Sequence, residues 1–250
     1  MRPGVVRLLV LVSLCPVGVA AQASGKWPPD SLVNVKVIPK KTPVVQVVGM
    51  MRNFAGGLGV RCTFCHEGEE GKPLETYDFP SDKKRPKLVA RQMMRMVEEI
   101  NARVDTIPER PAAKVEVTCR TCHHGVSRPM PLSQAIIEAS LAAGADSGIR
   151  AYKALRDRYY GRDAYDFGEG SLNVAAFRLG REKRFDDAFK ILDLNELQFP
   201  NSSAMAVFRG NILLMKGDTL KAGDSFREAV KRDTSNGEAK GRLRDIGQKP

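Results

Sequence analysis

Two short stretches hold the residues that could do chemistry: "VRCTFCHEG", from Val60, and "VTCRTCHHG", from Val117. Both read Cys-x-x-Cys-His, and their first cysteines lie 57 residues apart. Two thiols one helical turn apart can add to the two vinyl groups of a haem, and the adjacent imidazole then falls beneath the iron as fifth ligand. Cys62, Cys65, Cys119 and Cys122 are therefore read as covalent attachment points. His66 and His123 are read as the proximal iron ligands of two c-type haems. The same thiols could form a zinc site, which needs four ligands, or two redox dithiols. Neither alternative explains why a histidine follows the second cysteine both times.

Counting sharpens the reading. Of five cysteines, only Cys15 lies outside the motifs, so none of the other four is left over for a disulfide. The chain has three histidines, His66, His123 and His124. Two are used as fifth ligands, and His124 is too close to His123 to reach the opposite face of the same iron. Histidine cannot therefore supply the sixth ligand at both haems, and methionine is the natural substitute. Met50 and Met51 precede the first motif, and Met93, Met94 and Met96 precede the second. A methionine on an apolar helix face is ordinarily core filling. The histidine count is what turns these five towards ligation.

The elements that must position these groups are helices. "LVNVKVI" alternates and is β-branched, which predicts a short strand in the lead-in over residues 26–42. "KKTPVVQVVGMMRNFAGGLG" then predicts a helix, with Thr42 as N-cap and Pro43 in the first turn. Its apolar face is Val44, Val47, Val48, Met51 and Phe54, and Gly56, Gly57 and Gly59 are expected to stop it. Residues 67–86 read as a polar loop. "KLVARQMMRMVEEINARV" predicts a second helix with the stripe Val89, Met93, Met96, Val97 and Ile100. The loop "DTIPERPAAKVEV" leads into Cys119. Each half thus reads helix, loop, Cys-x-x-Cys-His.

The N-terminus sets the expected compartment. Arg2 and Arg7, an apolar run from Leu8 to Leu14 and then small residues predict a signal peptide over residues 1–23. The run is shorter than the ~20 apolar residues that a membrane span needs. Leu14 and Pro16 flank Cys15 in a way that fits a lipoprotein attachment site poorly. A periplasmic or otherwise exported protein follows, free or peripheral to the membrane. Formal charge is +11, and removing the signal peptide takes two arginines and no acids, leaving +9. No basic run interleaved with aromatics points to nucleic acid, and no small-molecule substrate is expected.

Past about Pro131 the character changes to good helix formers without cysteine or histidine. A 34-residue period places Ala142, Ala176 and Gly210 in one phase and Ala154, Ala188 and Ala222 in another. Leu179 with Leu213, and Leu192 with Phe226, share further phases. This resembles tetratricopeptide repeats, with unspecific helical hairpins as the plainer alternative. The first unit, ending in "YYGRDAYDFGEG", is degenerate. The fold class is mainly α: a multihaem module of helix–loop–Cys-x-x-Cys-His units followed by a helical repeat stack. The division is a signal peptide at 1–23, a diheme domain at 24–131, a linker or degenerate repeat at 132–168 and repeats at 169–250.

The motifs together with their helices resemble the cytochrome c subunit of photosynthetic reaction centres. The residues that carry this are "MMRNFAGGLGVRCTFCH", then "MMRMVEEIN" and "VTCRTCHHG", within roughly residues 30–131. In that family each haem is served by a helix that offers a methionine. The resemblance implies Met51 as sixth ligand of the first haem and Met93 of the second, with Met50, Met96 and Met94 as alternatives. That subunit carries four haems in two pairs. This chain has motifs for two, and adds the repeats. The resemblance implies one haem pair in an electron carrier, not an enzyme. Its partners would be redox proteins, a membrane electron-transfer complex among them, docked by the repeats. Two other functions stay open. A diheme peroxidase needs an open iron position, and a binding scaffold would hold zinc in the motifs.

Overall fold

The computed structural model describes residues 26–109 and 115–249. The expected signal peptide and Cys15 lie outside them, as do residues 110–114 of the second loop. The described residues are mainly helical, as the patterning predicts, and contain no strand. No helix among them is long and apolar enough to cross a membrane. They fall into two compact units, one of residues 26–50 and 62–96, the other of 51–61, 97–109 and 115–249.

The motif-bearing region supplies three helices: α1 (Val44–Leu58), α2 (Arg85–Val104) and the short α3 (Cys119–His123). The strand expected in "LVNVKVI" does not form. Asn34 sits at φ 58°, a left-handed conformation that interrupts an extended run. Its side chain donates to Pro80 O (2.7 Å) and its carbonyl accepts from Arg91 (3.0 Å). Nor do Gly56 and Gly57 stop α1, which runs through both and ends at Leu58. Gly59 ends it instead, at φ 64°. A Cβ there would lie 1.9 Å from Gly125 O, so both conformation and space demand glycine.

From Leu132 onward seven helices stack: α4 (Leu132–Ala143), α5 (Ala145–Tyr159), α6 (Glu169–Arg181), α7 (Phe185–Gln198), α8 (Ser203–Lys216), α9 (Thr219–Arg232) and α10 (Gly237–Asp245). α4 pairs with α5, α6 with α7, and α8 with α9. α4 also packs on α6, α6 on α8, and α5 on α7, while α10 covers α9. Apolar faces drive this: Leu172, Leu179, Ile191, Leu192, Ile212 and Phe226 are all fully buried. Small residues let the pairs close. Ala176, Ala188 and Ala222 are fully buried, and a Cβ on Gly210 would meet the Phe226 ring at 2.4 Å. Ser202, Asp218 and Asn236 cap α8, α9 and α10 by accepting from the backbone N–H three residues on.

The first hairpin departs from the 34-residue register. Ala142 and Ala154 are exposed, not packed. α6 and α8 begin 34 residues apart, at Glu169 and Ser203, whereas Leu132 to Glu169 is 37. The loop over residues 160–168 absorbs the extra chain by folding on an aromatic cluster, with Tyr165 edge-on to Tyr159 (5.4 Å) and Phe167 to Tyr152 (6.0 Å). Gly148 takes the place that Ala188 and Ala222 hold, fourth in its helix, and a Cβ there would come within 2.1 Å of Ser140 Oγ.

Candidate cofactor site

The first motif opens on a single 3-10 turn, Cys62–Phe64, closed by Cys65 N–H (3.2 Å) and His66 N–H (2.9 Å) donating to Cys62 O. Lys84 Nζ donates to Thr63 O within the motif. The half-buried His66 ring stands edge-on to Phe79 at 4.9 Å. Phe79 is itself stacked with Trp27 (4.6 Å) and Tyr77 (5.6 Å). An antiparallel bridge between Glu67 and Asp78 returns the chain to this point.

Lys87, on α2, fixes that return. Its ammonium donates to Phe79 O (2.8 Å), Pro80 O (2.9 Å) and Ser81 O (2.7 Å), and pairs with Asp82 at 3.2 Å. Arg91 also grips Asp82, at 2.9 Å. Arg91 above all, then Asn34 and Lys87, hold the Asp82 carboxyl far below the usual carboxylate range. His66 Nδ1 is buried without a hydrogen-bond partner. Burial lowers the His66 pKa and the Lys87 charge adds to this, while the Phe79 backbone carbonyl opposes both. The sequence reading passed over Lys84, Lys87, Phe79 and Asp82, because "DFPSDKKRPK" is an ordinary polar loop by composition. The lysine side chains do their work through backbone carbonyls, which composition does not reveal.

The second motif is helical. Thr121 Oγ1 accepts from the N-cap Thr118 N–H (3.0 Å), and His124, at φ 49°, ends α3. Asn101, near the end of α2, brackets Val117 with two hydrogen bonds of 2.8 and 2.9 Å, anchoring the approach to Cys119. Gly57 O accepts from Gly125 N–H at 2.9 Å, which ties the last turn of α1 beneath the motif. His123 Nδ1 bonds to Val126 O at 2.8 Å. That bond sets the tautomer and leaves Nε2 free as a ligand. A hollow of about 300 Å³ adjoins Cys122 and His123, walled by Val126, Pro129, Met130 and Ala164, with the exposed His124 at its rim. Met130, outside the five methionines considered from sequence, lines it.

The methionines are distributed as follows. Met93 and Met96 are 39% and 44% exposed, and with Val89 (41%) they form a half-open apolar stripe. None of the α2 side chains is buried, so the stripe expected to pack is left uncovered by protein. Met50, Met51 and Met94 are half-buried. Met93, Met94 and Met96 fall in the compact unit that holds Cys62–His66, and Met51 in the unit that holds Cys119–His123.

These groups suit a covalently attached haem. All four thiols are free of disulfides. Burial raises the Cys65 and Cys119 thiols above their ordinary pKa. Among the described residues no group of three or more His, Cys, Asp or Glu side chains is placed to hold a metal ion.

Residues 72–148 match the family model of the photosynthetic reaction centre cytochrome c subunit. The match takes in α2, the second motif and α4, and begins past the first motif. Cytochrome c-554 of Chloroflexus aurantiacus is 31% identical over 93 residues, 37% of this chain and 20% of that protein. The aligned part thus spans about a fifth of that relative's length. No solved structure matches. The chain resembles the reaction-centre cytochrome c subunit family.

Proposed function

We propose that the chain is an exported, periplasmic diheme c-type cytochrome that carries electrons between redox proteins. Similarity to the reaction-centre cytochrome family and to a cytochrome c-554 supports c-type haem and electron transfer. The observation that carries the reading is the pairing of Cys119, Cys122 and His123 with a carbonyl that orients the imidazole: His123 Nδ1 to Val126 O, 2.8 Å. A bound haem supplies a one-electron iron couple.

The chain's own residues hold, orient and enclose that group. Cys62 and Cys65 would anchor the first haem, Cys119 and Cys122 the second, with His66 and His123 as proximal ligands. Met51 is the proposed sixth ligand of the first haem and Met93 of the second, with Met50, Met96 and Met94 as alternatives. The half-exposed stripe of Val89, Met93 and Met96 is apolar surface suited to a haem face. The hairpins from Leu132 onward, read as tetratricopeptide-like, offer a docking surface to a partner protein.

A pyridine haemochrome assay on protein matured with haem tests this. Two c-type haems per chain are expected, and fewer sink the reading. Carbon monoxide binding to the reduced protein separates carrier from enzyme. A carrier with both irons six-coordinate stays unreactive, and uptake at one haem favours the peroxidase-type alternative.

A further inference from the structure

The two Cys-x-x-Cys-His turns are closed by different means at one equivalent carbonyl, that of the residue after the first cysteine. This residue is Thr63 in the first motif and Arg120 in the second. Arg120 O accepts from His124 N–H at 3.0 Å, so the helix that carries Cys119–His123 closes its own last turn. Thr121 Oγ1 caps the other end by accepting from Thr118 N–H. The first motif does not continue in this way, because its chain leaves the turn at Glu67 to bridge Asp78. No backbone N–H reaches Thr63 O among the described residues. Lys84 Nζ donates to it instead.

Lys84 is placed for that task. It directly precedes α2, and its carbonyl accepts from Lys87 N–H at 3.1 Å in the first turn of the helix. Lys87 and Arg91 tie this end of α2 to Asp82, at 3.2 and 2.9 Å. Lys84 is half-buried, whereas its neighbour Lys83 is exposed. A charge-assisted hydrogen bond to a carbonyl at the end of a helical turn does what the absent next turn would do. We infer that Lys84 is a positioning residue for the first haem: it holds Cys62–His66 in the turn that attachment requires, a task the second motif performs with its own backbone. The turn matters because both thiols must add to one porphyrin. Each sulfur bonds one vinyl carbon and its proton goes to the other, so no oxidant or reductant takes part.

This inference rests on the diheme reading, and one measurement separates the two. Mass spectrometry of proteolytic peptides, from protein matured with haem, reads the haem carried by the Cys62–Cys65 and Cys119–Cys122 peptides of the same chain. A parent protein that lacks haem on either peptide sinks the diheme reading and the inference with it. With both loaded, Lys84→Met should lower haem on the Cys62–Cys65 peptide several-fold and leave the other at the parent level. Lys84→Arg keeps a charged donor and should retain most of the loading. The inference is overturned if Lys84→Met keeps the parent's ratio, strips both peptides equally, or is matched in its loss by Lys84→Arg. Should the Lys84→Met chain not accumulate, amine acetylation of the haem-loaded parent still decides. Lys84 should react several-fold more slowly than Lys83, and equal rates would overturn the inference.

Discussion

From Leu132 onward 24 apolar side chains are buried among the described residues, whereas residues 26–131 bury three, Ile38, Val47 and Val126. The motif-bearing region is not short of apolar residues. Phe64, Leu88, Val89, Met93, Met96 and Ile107 are all substantially exposed. The stack closes its apolar faces on neighbouring helices, while α2, 20 residues long, buries none of its own. A helix without a packed face owes little stability to propensity alone. Under the proposed reading, the second region is a protein core and the first is one side of a core that bound haem would complete. Covalent attachment fits that need, since a small segment with so little protein core requires staples.

The largest effect should come from withholding haem. In the full chain made without haem maturation, amides of α1, α2 and α3 should exchange rapidly while those of α6 to α9 stay protected, read by hydrogen exchange with mass spectrometry. Equal protection in both regions would break the comparison. The converse test empties the stack. Phe226→Ala removes a fully buried ring and should cost about 3–5 kcal/mol of stack stability, seen as a lowered thermal midpoint. The haem absorption spectrum should not move, and a shifted spectrum would mean that the regions share one core. Gly59→Ala acts in the motif region instead. The left-handed conformation costs an alanine about 1–2 kcal/mol, and the clash with Gly125 O adds to it. The expected result is poorer loading of the second haem at unchanged loading of the first.

The candidate site was proposed from sequence because the covalent chemistry it implies would fix residue types and spacing. Four cysteines, three histidines and the methionine-bearing helices could be counted without coordinates. The helices were legible by period, and so were the small residues at Ala176, Ala188, Gly210 and Ala222. What sequence hid was backbone: Asn34 in a left-handed turn where alternation suggested a strand, Gly56 and Gly57 inside a helix that Gly59 ends. It also hid the first hairpin's register, where Gly148 replaces the expected Ala154 once the 160–168 loop adds chain. The carbonyls of Phe79 and Val126, which meet Lys87 and His123, have no side-chain signature at all.

The smallest effect concerns acid. Asp82 lies in the motif region, where Arg91 first, then Asn34 and Lys87, hold its carboxyl far below the ordinary range. A carboxyl depressed by folding contributes stability above its unfolded pKa of about 4 and loses it as pH falls through the folded value. Asp82→Asn should therefore weaken the 78–91 segment at neutral pH, and the parent's advantage should shrink as pH drops below about 4. Hydrogen exchange at Lys87 to Arg91, compared at pH 7 and pH 3, measures it. The stack is the internal control, because no carboxylate of its buried core takes part and its protection should change equally in both proteins. A parent–variant difference that stays the same at both pH values would show that the carboxylate charge is irrelevant. Asp82 would then be a packing residue, and the motif region would hold its Phe79–Ser81 turn by Lys87 alone.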